Sequence, residues 1–253
     1  MIDTHCHLQD KQFEGDREQT IARAYDAGVT GMLTVGCDYA DSRRAIEIAK
    51  RFKLHASIGI HPHEAKDAPA DLPRAFDALL GDAQVVAIGE TGLDYYYDHS
   101  PRDVQAQVLR EQLRFARERA KPVIFHQRDA FDDFAAILRE EFSPEMRGVV
   151  HCFTGNSEQA RLLTGEFGLL LGIGGVVTFA NAQPLREAVR AVGIHAIVLE
   201  TDCPYLAPVP MRGRRNEPAF VTHVAAKLAE VLELGVEEIA AVTGGNAYEL
   251  FGI

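Results

Sequence analysis

The chain has 253 residues, an apolar fraction of 47% and a formal net charge of −11. That is ample material for a core, and the acidic balance argues against a surface built to grip duplex nucleic acid. The cysteines Cys6, Cys37, Cys152 and Cys203 lie far apart with no C-x-x-C spacing, which excludes a zinc ribbon and a disulfide framework.

The start of the sequence shows no basic stretch ahead of an apolar run, so no secretory leader is expected and a cytoplasmic location is. The longest apolar run, "GLLLGIGGVVTFA" at 168–180, is short of the roughly 20 residues that a membrane span needs. A phosphate-bearing substrate is still allowed, because a metal centre supplies its own positive charge.

In chain order, β-type runs read "MIDTHC" at the start, then 31–37, 54–60, 85–90, 122–126, 148–153, 168–175 and 196–202. Amphipathic, helix-period stretches follow them at 16–27, 41–52, 72–80, 103–120, 130–142, 157–166, 183–192 and 217–233. A further helix is expected at 236–251. In "DVQAQVLREQLRFARERA", for example, Val108, Leu109, Leu113 and Phe115 form one broad stripe with charges on the remainder. Eight strand-then-helix units imply parallel pairing and fit an α/β fold, a single-domain (β/α)8 TIM barrel over 1–253 with a C-terminal extra helix. An open doubly wound sheet competes, but no G-x-G-x-x-G follows the first strand.

Chemistry in such a barrel sits at the C-terminal strand ends. His5 and His7 end the first run, Glu90 the fourth, His126 the fifth, His151 lies near the end of the sixth, and Asp202 ends the eighth. Alternation along an extended strand points His5 and His7 the same way and Cys6 the opposite way. The same argument places Cys152 and Cys203 away from their neighbours His151 and Asp202, as structural thiols. Imidazoles and ionised carboxylates buried together need a cation, so a metal site is expected. Six such groups suit two ions roughly 3.5–4 Å apart, an arrangement that activates water and stabilises both attacking and leaving oxygens. By contrast His55 and His195 begin strands and His223 is inside a helix, where packing or solvent explains them.

Around that rim lie groups able to meet a phosphate. His61 and His63 follow the third run in "GIHPHEA", and Arg128 and Arg212 can each clamp a phosphate through two hydrogen bonds. The competing role for Arg128 is an ion pair with Asp129 or its neighbours. Arg214 and Arg215 read as solvated loop charges, although Met211–Arg215 is a basic patch in an acidic chain. Tyr95, Tyr96 and Tyr97 either stack on bases or pack their loop against the barrel. Asp94 orders that loop or supports the site. Glu200, two residues before Asp202, either orients a histidine or belongs to an interior polar layer.

Taken together, "IDTHCHL", "GIHPH", "GETGLDYY", "PVIFHQRDA", "GVVHCFTG" and "LETDCPYLAPVPMRGRRNEPAFV" resemble the TatD family of metal-dependent deoxyribonucleases, from residue 2 to the C-terminal "NAYELFG". The resemblance implies a TIM barrel with two divalent ions (Mg2+, Mn2+ or Zn2+) that cleaves DNA phosphodiesters as a 3′–5′ exonuclease. Carried over, His5, His7, Glu90 and Asp202 hold one ion, Glu90, His126 and His151 the other, and Glu90 bridges. Asp202 is then the base for the attacking water, Glu90 and Asp202 are the catalytic carboxylates, and His61 and His63 bind phosphate. Gln9 departs from the Asp or Asn that many members carry after this leucine, beyond the ligands.

The expected partner is DNA, as single strands or ends, with RNA as a second substrate, no membrane, and a monomeric protein. Two rival readings remain at this point. One is hydrolysis of an amide, lactone or aminoacyl ester by the same activated water, and the other is a barrel that binds metal or nucleic acid without catalysis.

Overall fold

The computed structural model describes residues 1–253. Eight strands form one sheet in chain order, the order of a (β/α)8 barrel. They are β1 (Ile2–Cys6), β2 (Gly31–Val35), β3 (His55–Ile58), β4 (Val85–Asp94), β5 (Val123–Arg128), β6 (Gly148–Val150), β7 (Leu170–Ile173) and β8 (Ile197–Leu199). Between them run α1 (Arg17–Asp26), α2 (Tyr39–Phe52), α3 (Leu72–Leu80), α4 (Arg102–Glu118), α5 (Phe131–Glu141), α6 (Ser157–Glu166) and α7 (Gln183–Val192), followed by α8 (Val221–Leu232) and α9 (Val236–Phe251). No helix is long and apolar enough to cross a membrane.

Local chemistry sets the helix ends. Asp38 caps α2 by accepting from the Asp41 amide, and Lys53 closes it in the left-handed region. Asn156 and Gln159 form a reciprocal capping box at α6. Asp71 caps α3, where Pro73 sits in the first turn.

Contacts divide the chain into two compact units, Met1–Thr34 with His151–Ile253, and Val35–Val150. In the first, β1 pairs in parallel with β2, and β7 with β8. The end of β1 and the segment just past β8 are tied by Asp202 N to His5 O and His7 N to Cys203 O, each 2.8 Å. Leu171, Val198, Val224, Leu228 and Ile239 are fully buried there. Asn246 of α9 donates to the carbonyls of Ile194 and Ile197, fixing the start of β8. In the second unit β3 to β6 pair in order, over a core that includes Phe76, Phe115, Phe125 and Phe134.

Most strand ends differ from the sequence reading by two or more residues, and three of these differences bear on the site. β4 runs to Asp94 rather than Glu90, because Thr91–Asp94 continue to pair with Phe125–Arg128. Gly92 makes this possible. Its φ is +155°, and a Cβ there would fall 1.8 Å from the His126 carbonyl oxygen. Gly92→Ala is expected to cost about 3 kcal/mol in unfolding free energy, read from urea titrations.

β6 and β8 stop at Val150 and Leu199, before their functional residues. Cys152 and Asp202 then adopt left-handed backbone, with φ of 44° and 57°. Strand alternation therefore does not govern Cys152, which lies in a turn, or Cys203, which pairs with Cys6 as an isolated parallel bridge beyond the end of β8. The register of β1 also slips between Asp3 and Cys6, so the Asp3 carboxylate meets the Cys6 and Cys203 sulfurs despite their odd spacing.

Candidate metal centre

Each compact unit carries one cluster of imidazoles and carboxylates. In the first unit His5 Nε2 and His7 Nε2 lie 3.3 Å apart, while Cys6 Sγ, on the other side of the strand, donates to Leu33 O. Asp202 Oδ1 is 3.3 Å from His7 Nε2 and 3.9 Å from His5 Nε2. His151 stacks on His5 with ring centroids 3.8 Å apart. Ligand atoms of His5, His151 and Asp202 all fall within 4.8 Å of one another.

The surrounding groups hold this arrangement. Buried Asp3 accepts from Thr201 N and Thr201 Oγ1, and Asn216 Nδ2 donates to the carbonyls of Thr201 and Tyr205, so the turn carrying Asp202 is fixed from both sides. Glu200 is fully buried and accepts from Cys152 N, with its Oε1 3.6 Å from His151 Nδ1. Gly172 admits it, since a Cβ there would lie 2.1 Å from Glu200 Oε2. Burial acts to raise the Asp202 carboxyl, but the hydrogen bond to His7 and the charges of His151, His5 and His7 outweigh it, and its pKa falls below the ordinary value.

In the second unit Glu90 Oε1 is 2.8 Å from His126 Nδ1 and 3.5 Å from His61 Nε2. His61, Glu90 and His126 form a second ligand-competent triple. The other His126 nitrogen, Nε2, lies 3.0 Å from Asp94 Oδ2, and His63 Nε2 lies 2.9 Å from the same oxygen. An imidazole bonded to a carboxylate on one side presents a fixed, more basic nitrogen on the other. Burial acts to raise Asp94 as well, yet hydrogen bonds to His126, the Tyr97 amide and His63 hold it well below the usual carboxylate range. His61 is pushed down by burial to about 4, against the pull of Glu90, so it is neutral near pH 7.

The remaining candidates are placed differently. Arg212 donates to Ala207 O and lies over the Phe179 ring at 4.2 Å. Arg128 forms no ion pair with Asp129; it covers Tyr96 and Tyr97 at 4.1 and 5.0 Å. Arg215, read as a solvated charge, instead grips Asp16 through two hydrogen bonds and also bonds to Glu217. The sequence reading missed Gln105 and Gln112, buried on α4. Gln112 bonds to both backbone groups of Ile60 and to Thr91, and Gln105 bonds to both backbone groups of Asp94. Their spacing of seven puts them on the face of Val108 and Leu109, so a polar residue on an apolar stripe was the available signal.

A parallel eight-stranded barrel fold with imidazole–carboxylate clusters at its strand ends is the architecture of a metal-dependent hydrolase. The family model described as "TatD related DNase" matches residues 2–252. Over its full length the chain is 42% identical to "Uncharacterized metal-dependent hydrolase YabD" of Bacillus subtilis, covering 99% of that protein. It is 36% identical to "3'-5' ssDNA/RNA exonuclease TatD" of Citrobacter rodentium, covering 98% of that protein. The crystal structure of YjjV, a TatD homologue from Escherichia coli K12, superposes with a TM-score of 0.94 at 32% identity, covering 100% of this chain and 98% of the other. The chain belongs to the TatD family.

Proposed function

We propose that the protein hydrolyses phosphodiester bonds at single-stranded ends of DNA, and of RNA, as a 3′–5′ exonuclease dependent on two divalent ions (Mg2+, Mn2+ or Zn2+). The proposed ligands are His5, His7, Glu90, His126, His151 and Asp202. The observation that carries the reading is the donor set itself. Within the triple His5, His151 and Asp202, and within the triple His61, Glu90 and His126, the ligand atoms lie within 4.8 Å of one another, a composition that suits Zn2+ and Mn2+ best and admits Mg2+ through its oxygens. The similarity to the exonuclease of Citrobacter rodentium supports nucleic acid as the substrate.

When bound, the ions supply Lewis acidity and a nucleophile at neutral pH. The chain does the rest. Asp202, ionised near pH 7 and held by His7, receives the proton of the attacking water. Asp94 fixes the ring of His126, so that Nδ1 is presented beside Glu90. Neutral His61 meets phosphate by hydrogen bonding rather than by charge, with His63 beside it at a ring separation of 4.3 Å. Arg128 and Arg212 bring guanidinium groups to the phosphate backbone.

The test is a panel of end-labelled oligonucleotides, carboxylic esters and lactones assayed with each metal. Stepwise shortening of the oligonucleotide from its 3′ end is expected, with no turnover in chelator. Turnover of the carbonyl substrates alone overturns the proposal.

A further inference from the structure

The tyrosines after Glu90 do not share one role. Tyr95 is half-buried, donates to Asp133 and carries Arg102 over its ring, which is a packing role. Tyr96 and Tyr97 are 58% and 50% exposed. They are nonetheless held in place, because Asp94 Oδ1 accepts from both of their amides at 3.0 and 2.9 Å. His99, also exposed, stacks on Tyr97 with ring planes 15° apart, and its carbonyl accepts from Lys66.

These rings connect to the second cluster without a break. Centroids run from His126 to His61 at 4.4 Å, to His63 at 4.3 Å, to Tyr97 at 5.3 Å and to Tyr96 at 4.8 Å. Arg128 lies over both tyrosines, and neither carboxylate nor carbonyl accepts from its guanidinium. An exposed cation without an anionic partner, in a chain of net charge −11, has a polyanion as its natural complement.

We propose that Tyr96, Tyr97, His99 and Arg128 form a subsite for an unpaired nucleotide strand, with the rings stacking on bases and Arg128 engaging the adjoining phosphate. The inference rests on the nucleic-acid reading above and deepens it. Base faces are covered in a duplex and open in a single strand, so this subsite makes the protein select unpaired strands. Because the loop is already ordered, little conformational freedom is lost when the strand docks.

The experiment compares wild-type protein, Y96A/Y97A and Y96F/Y97F on a labelled single-stranded oligonucleotide and on methyl p-nitrophenyl phosphate, a small diester without a base. In Y96A/Y97A the ratio of kcat/KM for the oligonucleotide to that for the small diester is expected to fall about tenfold, through KM. The phenylalanine pair, which keeps both rings, restores it. A ratio within twofold of wild type in Y96A/Y97A overturns the subsite, as does an equal loss on both substrates. Should wild-type protein cleave neither diester, the proposed function fails. The subsite is then judged by anisotropy of the same labelled strand: a tenfold weaker Kd in Y96A/Y97A supports it, and equal or no binding overturns it.

Discussion

Asp202→Asn is expected to lower kcat on a single-stranded oligonucleotide by at least about 10³-fold, with far-ultraviolet circular dichroism unchanged. A positioned general base contributes about 10²–10⁴ in rate, and Asp202 is in addition a proposed ligand, so two losses combine. Asparagine is the informative replacement. Asp202 sits at φ 57°, a region that asparagine adopts more readily than alanine, so the variant removes charge with little strain in the turn. The bonds from Thr201 to Asp3 and from Asn216 to the carbonyls of Thr201 and Tyr205 stay in place. Activity near the wild-type level would mean that Asp202 does not take the proton.

Metal binding is expected to show in stability as strongly as in rate. At an ion concentration one hundred times Kd, binding to the folded state alone adds about 2.7 kcal/mol per site. For a chain of this size that raises Tm by about 5–10 °C per site, read by calorimetry with Mn2+ added to chelator-treated protein. His126→Ala removes a ligand from the cluster of the second unit, and His7→Ala one from the cluster of the first. Each variant is expected to keep part of the Mn2+ increment, and the double variant to lose nearly all of it. An increment unchanged in the double variant would place the ions elsewhere.

The strand-then-helix order was legible in the sequence because hydrophobic period separates elements even where their ends blur. The β1 motif was legible in detail: alternation separates His5 and His7 from Cys6, and their Nε2 atoms do meet. What could not be read is backbone that departs from alternation. The register slip in β1 joins Asp3 to Cys6, and the left-handed turns at Cys152 and Asp202 follow tertiary contacts rather than local propensity. Asp94 illustrates the same limit. Its place in "GLDYYY" suggests loop order or support of the site, and it serves both, but only the pairing of β4 with β5 shows that its carboxylate reaches His126. Arg215 looks solvated in "MRGRRNEP" because its partner, Asp16, lies 199 residues away in the chain.

Equilibrium dialysis of chelator-treated protein against Mn2+, with the bound metal counted by elemental analysis, tests the central claim most directly. Two ions per wild-type chain and fewer than two in His126→Ala are expected. Wild-type protein that retains no ion, or a His126→Ala variant that retains the full wild-type complement, would contradict the account.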